Sequence, residues 1–524
     1  MNATAPPRTP RIGRFGALLL ALGLAACASL PEGAPHREAA VPPQPLHDTT
    51  LARIAADSTP PAKQALTGLR LLPGGDQAFD ARLALAQQAE HTLDLQYYVL
   101  ADDAAGRQLL RALRDAAGRG VQVRLLLDDL HSGDVAWLLA GLAAYDRIEV
   151  RLFNPLPQRA GSPMTRLLLS PNQFEQLNRR MHNKLFIADG QLAISGGRNI
   201  GDEYFMRSSA ANFVDMDLLT TGAALPALRE VFERYWSSAY AYPLQKLLPP
   251  AADRDAQRAW FDAGVERGPA PAAPVARDAL GQSPLSTQLR QGHLELHFAP
   301  VQVLADAPDK VVRASTLDDS ALGQGLLRLR AARSEVVIVS PYFIPGARGM
   351  AMLREAVQSH VRVSVLTNSM AATDEPVVHH AYARYRQAML DLGVTIHELS
   401  PRLSRKAGVF GDFRSSDGRL HAKVALADRR WVLMGSMNMD GRSAYANTEL
   451  GLLIDSPELA WELRSLMQQA YASSSYRVRR AGPALEWVAR DGGTEVVQFD
   501  EPGAAFSLRL KTALLSLLVA EDLL

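Results

Sequence analysis

One pattern, H-x-K-x-x-x-x-D, occurs twice in this chain: as His182-Asn183-Lys184-Leu185-Phe186-Ile187-Ala188-Asp189 and as His421-Ala422-Lys423-Val424-Ala425-Leu426-Ala427-Asp428. At the same offset downstream, each copy is followed by a glycine turn and an asparagine, in Gly196-Gly197-Arg198-Asn199 and in Gly435-Ser436-Met437-Asn438. Only seven of the 524 residues are lysines, so the chance of two accidental copies is negligible. The repeat indicates a duplicated protein with two half-sites.

The pattern brings one imidazole and one ammonium group together. Residues i and i+2 of a strand project to the same face, so we expect His182 beside Lys184 and His421 beside Lys423. Asp189-Gly190 is typical of a hairpin turn, and the returning strand would bring the asparagine back beside the histidine. Two half-sites that face each other across a pseudo-two-fold axis would form a pocket for one phosphate.

These groups suit the cleavage of a phosphodiester. One neutral imidazole can attack phosphorus to form a phosphohistidine, and the other, protonated, can donate to the leaving group and then deprotonate the incoming alcohol. Four side chains are predicted to stabilise the phosphate oxygens: Lys184, Lys423, Asn199 and Asn438. The sequence has no cluster of histidines and cysteines at zinc spacing, and we predict an enzyme without metal or cofactor.

Four carboxylates complete the candidate site. Asp189 and Asp428 belong to the repeated motif and are counted with its catalytic residues, although their place at the turn favours an orienting or turn role. Asp215 and Glu449 are candidates to stand behind the histidines and fix their tautomer, as in a catalytic triad. The alternative for this second pair is an ordinary surface charge.

The order of elements is also duplicated. Apolar periodicity predicts helix, strand, helix and strand at 78–89, 93–100, 106–117 and 121–127, and again at 326–332, 336–344, 349–358 and 361–367. Alternating strands and helices of this length predict an α/β fold, with two duplicated α/β sandwich domains of mixed β-sheet and the active site at their pseudo-two-fold interface.

The amino-acid composition limits the class of protein and its partners. The chain is 47% apolar and 21% charged, which suits two ordinary globular cores. Its formal net charge of +1 argues against a nucleic-acid partner. We predict a signal peptide over 1–26, a Pro-rich tether over 27–64, a first domain over 65–248, a linker over 249–290, a second domain over 291–475 and an amphipathic tail over 476–524, which docks on the second domain or lies on a membrane.

The N-terminus is typical of an export signal. Three arginines precede the apolar run 17–24, which is shorter than the ~20 residues that cross a bilayer. Leu24-Ala25-Ala26-Cys27 resembles a bacterial lipoprotein signal, which implies cleavage before Cys27 and lipidation of this single cysteine. The alternative is a simple signal peptide with an incidental cysteine. We predict a lipid-anchored protein of the bacterial cell envelope that faces the periplasm, on either the inner or the outer membrane.

The duplicated motif resembles that of the phospholipase D superfamily, and further segments resemble its bacterial cardiolipin synthases. These segments are 180–184, 196–205, 339–343 and 367–374. The resemblance implies phosphatidyl transfer to phosphatidylglycerol, with phosphatidylethanolamine as the donor. It also implies that His182 is the nucleophile and His421 the acid. The alternative is a hydrolytic phospholipase D or an exported phosphodiesterase or nuclease of the same superfamily.

Overall fold

The structure is a computed structural model that describes residues 48–156, 174–248, 253–267, 273–403, 411, 413, 415–491 and 494–516. The predicted signal peptide and Cys27 lie outside these residues. Within them, no helix is long and apolar enough to cross a membrane.

The first half of the chain alternates strands and helices. Its strands are β1 Thr67–Leu72, β2 Thr92–Tyr97, β3 Gln122–Asp128, β4 Ile148–Phe153, β5 Leu185–Ala188, β6 Leu192–Gly196, β7 Ala211–Val214, β8 Asp217–Gly222 and β9 Ala241–Pro243. Its helices are α1 Thr50–Asp57, α2 Gly75–Gln88, α3 Ala104–Gly118, α4 Ala136–Leu142, α5 Phe174–Asn178, α6 Leu225–Trp236, α7 Leu244–Leu247, α8 Arg254–Glu266 and α9 Leu285–Gln291.

The second half repeats this order. Its strands are β10 His297–Ala299, β11 Val301–Ala305, β12 Glu335–Val339, β13 Arg362–Asn368, β14 Thr395–Leu399, β15 Asp417–Leu420, β16 Val424–Ala427, β17 Trp431–Gly435, β18 Leu450–Asp455, β19 Ser475–Ala481, β20 Ala484–Asp491 and β21 Thr494–Gln498. Its helices are α10 Ala321–Arg330, α11 Gly346–Gln358, α12 Pro376–Ala383, α13 Arg386–Leu392, α14 Pro457–Ser473 and α15 Phe506–Ser516.

The two large sheets confirm the duplication and the α/β fold. The first sheet has the order β10-β1-β8-β6-β5-β2-β3-β4-β9, and the second has the order β11-β18-β17-β16-β12-β13-β14-β19-β20-β21. The run β8-β6-β5-β2-β3-β4 therefore corresponds to β18-β17-β16-β12-β13-β14. Both sheets are mixed. Strands β2, β3 and β4 are parallel to one another in the first sheet, and β12, β13 and β14 are parallel in the second. The other neighbouring strands of each sheet are antiparallel.

The halves share a central apolar core. Leu185 and Ile187 of β5 face it from the first sheet, and Val424 and Leu426 of β16 face it from the second. The alternate residues of these strands point outward, toward the helices that cover each sheet. A short parallel pairing of β7 with β15 also joins the halves. This shared core holds the two copies of the motif in one rigid frame.

The predicted tether over 27–64 is wrong in its C-terminal part. Residues 50–57 form helix α1, whose Leu51 and Ile54 are buried against the first domain. Thr49 caps the helix by accepting a hydrogen bond from the N–H of Ala52 at 3.1 Å. Two apolar residues at positions i and i+3 are enough to hold this short helix on the domain, despite the prolines on either side.

The linker and tail predictions also need correction. Helix α8 of the predicted linker packs on α4 through Phe261 and Val265, and helix α9 packs on α2. Strands β19 to β21 of the predicted tail extend the second sheet beyond β14. A strand at the end of a sheet forms its backbone hydrogen bonds without needing a strong alternation of apolar side chains. The pattern of apolar residues therefore did not predict these strands. Helix α15 packs on α12, in agreement with the docking alternative.

Candidate active site

The first histidine lies just before its strand, not on it. Residues 182–184 form an extended segment, and β5 begins at Leu185. Asp128 at the end of β3 anchors this segment from behind, because its carboxylate accepts hydrogen bonds from the Arg180 side chain at 2.8 Å and from the Met181 N–H at 2.9 Å. The backbone N–H of His182 then donates to the carbonyl of Thr448 in the other half, at 2.9 Å.

The second histidine is held in the same way. Residues 421–423 precede β16, and the backbone N–H of His421 donates to the carbonyl of Val214 in the first half at 2.8 Å. The pairing of β7 with β15 sets this register, since it aligns Leu420 with Val214. Each histidine is therefore hydrogen-bonded, through its backbone N–H, to the residue just before an acidic residue of the opposite half.

Those carboxylates are Asp215 and Glu449. The Nδ1 atom of His182 lies 3.1 and 3.0 Å from the two carboxylate oxygens of Glu449, and the Nδ1 atom of His421 lies 2.6 Å from Oδ2 of Asp215. All four side chains are buried. A carboxylate at Nδ1 holds the proton there and leaves the Nε2 lone pair of each ring free for chemistry.

Local sequence makes room for these carboxylates. A side chain at Gly197 would place its Cβ atom 2.1 Å from Oδ1 of Asp215, so only glycine fits at this position. Around Glu449, the hydroxyl of Ser443 donates to the carboxylate at 2.8 Å and the hydroxyl of Ser436 also donates to it. Ser436 lies within the quoted Gly-Ser-Met-Asn turn, where its contact with Glu449 was not apparent from the sequence.

The two motif lysines are buried side chains, with 1% of Lys184 and 4% of Lys423 exposed. Each Nζ donates to the backbone carbonyl of its own histidine, at 2.7 Å for Lys184 and 2.5 Å for Lys423. An ammonium has three N–H groups, so each lysine can donate further hydrogen bonds to a bound phosphate. Burial lowers the pKa of both lysines, and an anion between them would counter that shift.

Burial also sets the charge of the histidines. It lowers the pKa of His182 to about 4, with Lys184 and Lys423 acting in the same direction against Glu449. Burial and Lys423 lower the pKa of His421. Although burial opposes it, the neighbouring imidazole lowers the pKa of each partner carboxylate, Asp215 and Glu449. The substrate-free pocket therefore holds neutral imidazoles near neutral pH, between ionised carboxylates.

The asparagines differ from each other. The Asn199 amide accepts a hydrogen bond from the Val99 N–H at 3.2 Å and donates to the hydroxyl of Tyr204 at 3.0 Å. The side-chain oxygen of Asn438 is buried and has no hydrogen-bond partner among the described residues. Because phosphate oxygens accept hydrogen bonds, only the amide NH2 group of each asparagine could contact them, and that role remains a proposal.

Asp189 and Asp428 contact backbone N–H groups at turns, which fits the turn role that their position in the sequence favours. Each aspartate lies five positions after its lysine, a span of roughly 16 Å along an extended chain. Asp189 accepts hydrogen bonds from the N–H groups of residues 90–92 at 2.8 to 3.0 Å, where β2 begins. Asp428 accepts them from the N–H groups of residues 333–335, where β12 begins. Both occupy tight turns with positive φ, at 50° and 54°.

This position leads to a stability prediction. Replacing Asp189 by Ala should lower the free energy of unfolding by about 1–3 kcal/mol, because three N–H groups lose their acceptor. The kcat of the folded enzyme should stay near the wild-type value. Urea unfolding and steady-state kinetics measure the two effects, with Asp255→Ala on the exposed face of α8 as the control. Unchanged stability with a hundredfold loss of kcat would contradict the structural role.

Aromatic rings that the sequence did not single out line the site. The Tyr98 ring meets His182 edge-on at 5.2 Å between centroids, and the Nζ atom of Lys184 lies 5.5 Å from the same ring. Tyr204 and Phe213 pack on His421 at 5.2 and 4.8 Å. No periodic pattern marks these residues, since they come from loops and from a short strand. They pack against both imidazoles, which are buried.

Comparison with known proteins identifies the family of this chain. The family described as "Cardiolipin synthase, PLD-like domain" matches residues 83–236 and 326–471. Cardiolipin synthase C of Escherichia coli (strain K12) is 38% identical over 462 residues, which are 87% of this chain and 96% of that protein. Cardiolipin synthase of Geobacillus kaustophilus (strain HTA426) is 28% identical over 385 residues, or 73% of this chain and 62% of that protein.

A solved structure shows the same fold. The crystal structure of phosphatidylserine synthase from Haemophilus influenzae Rd KW20 has a TM-score of 0.54 at 13% identity, and the match covers 82% of this chain and 92% of that one. The fold and the paired motifs define an enzyme of the phospholipase D superfamily, a phosphatidyltransferase of phospholipids. Within that superfamily, the chain belongs to the cardiolipin synthase family with phospholipase D-like domains.

Proposed function

We propose that this enzyme makes cardiolipin by transferring a phosphatidyl group to a hydroxyl of phosphatidylglycerol, through a phosphohistidine. The observation that supports this most is that each half supplies the carboxylate for the histidine of the other half. Glu449 contacts Nδ1 of His182, and Asp215 contacts Nδ1 of His421. It provides two imidazoles whose Nε2 atoms are free beside two buried lysines. Two such groups are what a two-step transfer at phosphorus requires.

In the first step, Nε2 of His182 attacks phosphorus and the bond from phosphorus to the headgroup oxygen breaks. His421, protonated once the anionic phosphate is bound, gives its Nε2 proton to that oxygen. In the second step, His421 takes the proton of the acceptor hydroxyl, whose oxygen attacks phosphorus and displaces His182. Lys184 and Lys423 stabilise the non-bridging oxygens throughout.

The names of the relatives support cardiolipin as the product, and we propose phosphatidylethanolamine as the donor, with ethanolamine as the leaving group. Mass spectrometry of the products tests this with vesicles of phosphatidylglycerol alone and then with phosphatidylethanolamine added. We expect the mixed vesicles to yield cardiolipin and ethanolamine. Phosphatidic acid as the only product would instead support a hydrolytic phospholipase D, because water would then resolve the phosphohistidine.

The pKa shifts predict an acidic optimum for kcat/KM. His182 must be neutral, so activity should rise as pH passes about 4, and His421 must be protonated, so activity should fall above its lowered pKa. The maximum should therefore lie below pH ~6.5, the usual histidine value. The two apparent pKa values belong to the coupled pair. Because bound phosphate favours the imidazolium, the alkaline limb of kcat should lie at higher pH than that of kcat/KM.

A pH series on a short-chain soluble phosphodiester measures both profiles without altering a membrane. His293→Ala, an exposed histidine outside the site, should leave them unchanged. A kcat/KM that keeps rising through pH ~8 would contradict the assignment of the two protonation states.

We also propose that lipidated Cys27 tethers the enzyme to the periplasmic side of a bacterial membrane. The support is the export signal with its lipoprotein-like Leu24-Ala25-Ala26-Cys27 end. A Cys27→Ala variant should lose labelling by radioactive palmitate and leave the membrane fraction. Labelling and fractionation identical to those of wild type would contradict the anchor, and Ala28→Ser serves as the matched control.

A further inference from the structure

A cavity of about 570 Å³ opens in the second half, between the sheet and the helices that cover it. Leu326 and Leu329 of α10 line it on one side, and Met352 and Ala356 of α11 line it on another. Its volume lies within the ~300–1,000 Å³ of small-molecule sites, and its lining is mostly apolar, as in such sites.

The corresponding space in the first half is filled. Helix α2 there packs directly on α3, and Phe79 of α2 meets Phe205 at 4.7 Å between ring centroids. The guanidinium of Arg207 covers the Phe79 ring at 4.3 Å. The counterpart of α2 in the second half, α10, has 10 residues where α2 has 14. The cavity thus arises from a difference between the two copies, and the shared fold does not require it.

Two chain segments connect the cavity with the catalytic pocket. The backbone N–H of Asn438 donates to the hydroxyl of Ser443, which contacts Glu449 behind His182, and the next two residues, Met439 and Asp440, line the cavity. Phe343 also lines the cavity, and it follows Tyr342, whose hydroxyl donates to Asp374 at 2.7 Å. The charge of Asp374 acts on both His421 and Lys423, which places it near the reacting groups. Asp440 of the lining also interacts electrostatically with Lys423, so the cavity lies close to the proposed phosphate site.

The polar groups of the lining have partners of their own. Arg330 and Arg348 form ion pairs with Glu355 and Asp318, at 3.0 and 2.6 Å. Asp440 accepts a hydrogen bond from the N–H of Ser443 at 2.8 Å, and burial raises its pKa to about 7. With its ions paired and its carboxyl about half protonated at neutral pH, the lining carries little net charge and favours an apolar ligand.

We infer that this cavity receives one acyl chain of the phospholipid whose phosphate occupies the catalytic pocket. The inference rests on the proposed function, since it takes the substrate to be a phospholipid. An acyl chain is apolar and is joined to the phosphate through glycerol, which suits a cavity that begins next to Asn438. Each buried methylene should favour binding by about fourfold, so kcat/KM should rise with chain length until the cavity is full.

Filling the cavity tests the inference. Ala356→Phe should lower the ratio of kcat/KM for dipalmitoyl over dihexanoyl phosphatidylethanolamine, the proposed donor, by about tenfold or more, because the ring occupies the space of two or three methylenes. It should leave activity on the dihexanoyl lipid near wild type, which also reports a folded enzyme. Gln358→Phe adds the same ring on the exposed side of α11 and should keep the wild-type ratio. Should Ala356→Phe not fold, Met352→Trp fills the same cavity.

Binding of phosphatidylethanolamine with a fluorescent parinaroyl chain provides a second measurement that needs no turnover. The dissociation constant should rise in Ala356→Phe or Met352→Trp and stay constant in Gln358→Phe. If both cavity variants match Gln358→Phe in binding and in chain-length ratio while cardiolipin is made, the inference is overturned and the proposed function stands. If no cardiolipin is made but filling the cavity weakens binding, the proposed function fails and the acyl site stands.

Discussion

Alanine at His182 or at His421 should lower kcat on phospholipid by about 10⁴-fold or more, because neither histidine can perform the other's step. A substrate with a 4-nitrophenol leaving group separates the two roles, since this group departs without a proton. His421→Ala should then release one equivalent of nitrophenolate per enzyme and stop as a phosphohistidine at His182. His182→Ala should form no covalent adduct and show no burst.

Stopped-flow absorbance measures the burst, and mass spectrometry under alkaline conditions locates the adduct. His293→Ala is the matched control, since this histidine is exposed and outside the site. An adduct on His421 in the His182→Ala variant would reverse the assignment of nucleophile and acid. Near-native turnover of phospholipid by either variant would contradict the two-half-site mechanism.

Amides at the carboxylates behind the histidines should have the second largest effect. Glu449→Gln and Asp215→Asn should each lower kcat by about 10²–10⁴-fold, because an amide N–H directed at Nδ1 favours the ring tautomer with its proton on Nε2. In Glu449→Gln that tautomer deprives His182 of its nucleophilic lone pair. The acid limb of kcat/KM should also move to lower pH in this variant, because the Glu449 charge raises the pKa of His182.

The shift of the pH profile distinguishes this role from simple structural damage, which would lower activity equally at every pH. Glu230→Gln, an exposed carboxylate of α6, is the control, and thermal unfolding checks the fold. A Glu449→Gln enzyme with full activity and an unchanged profile would show that the carboxylate does not orient His182. Glu449→Asp should recover part of the activity, because it restores the charge at a slightly greater distance.

Both predictions depend on contacts that cross between the halves. His182 is hydrogen-bonded through its backbone to Thr448 and through its ring to Glu449, and His421 is bonded in the same way to Val214 and Asp215. A single half would therefore present a histidine without its carboxylate and a carboxylate without its histidine. The site forms only when the central core brings the two sheets together.

The sequence by itself determined the duplication and the α/β class, and it led to the proposal of His182, Lys184, His421 and Lys423 as the reacting groups. Those inferences depend on local patterns: the spacing of the motif, its recurrence and the periodicity of the apolar residues around it. Each pattern reflects interactions between residues close in the chain, which a sequence displays directly. The Asp-Gly turn after β5 is local for the same reason, with both residues at positive φ.

Only the tertiary structure decided which residues complete the site. Asp215 lies 206 positions from His421, and Glu449 lies 267 positions from His182, so no spacing rule could distinguish these carboxylates from surface charges. The same limit applies to the partners of Asp189 and Asp428, which are backbone N–H groups about 100 residues away. The lowered pKa values and the cavity beside Asn438 depend on burial and on the packing of distant helices, which only the folded chain defines.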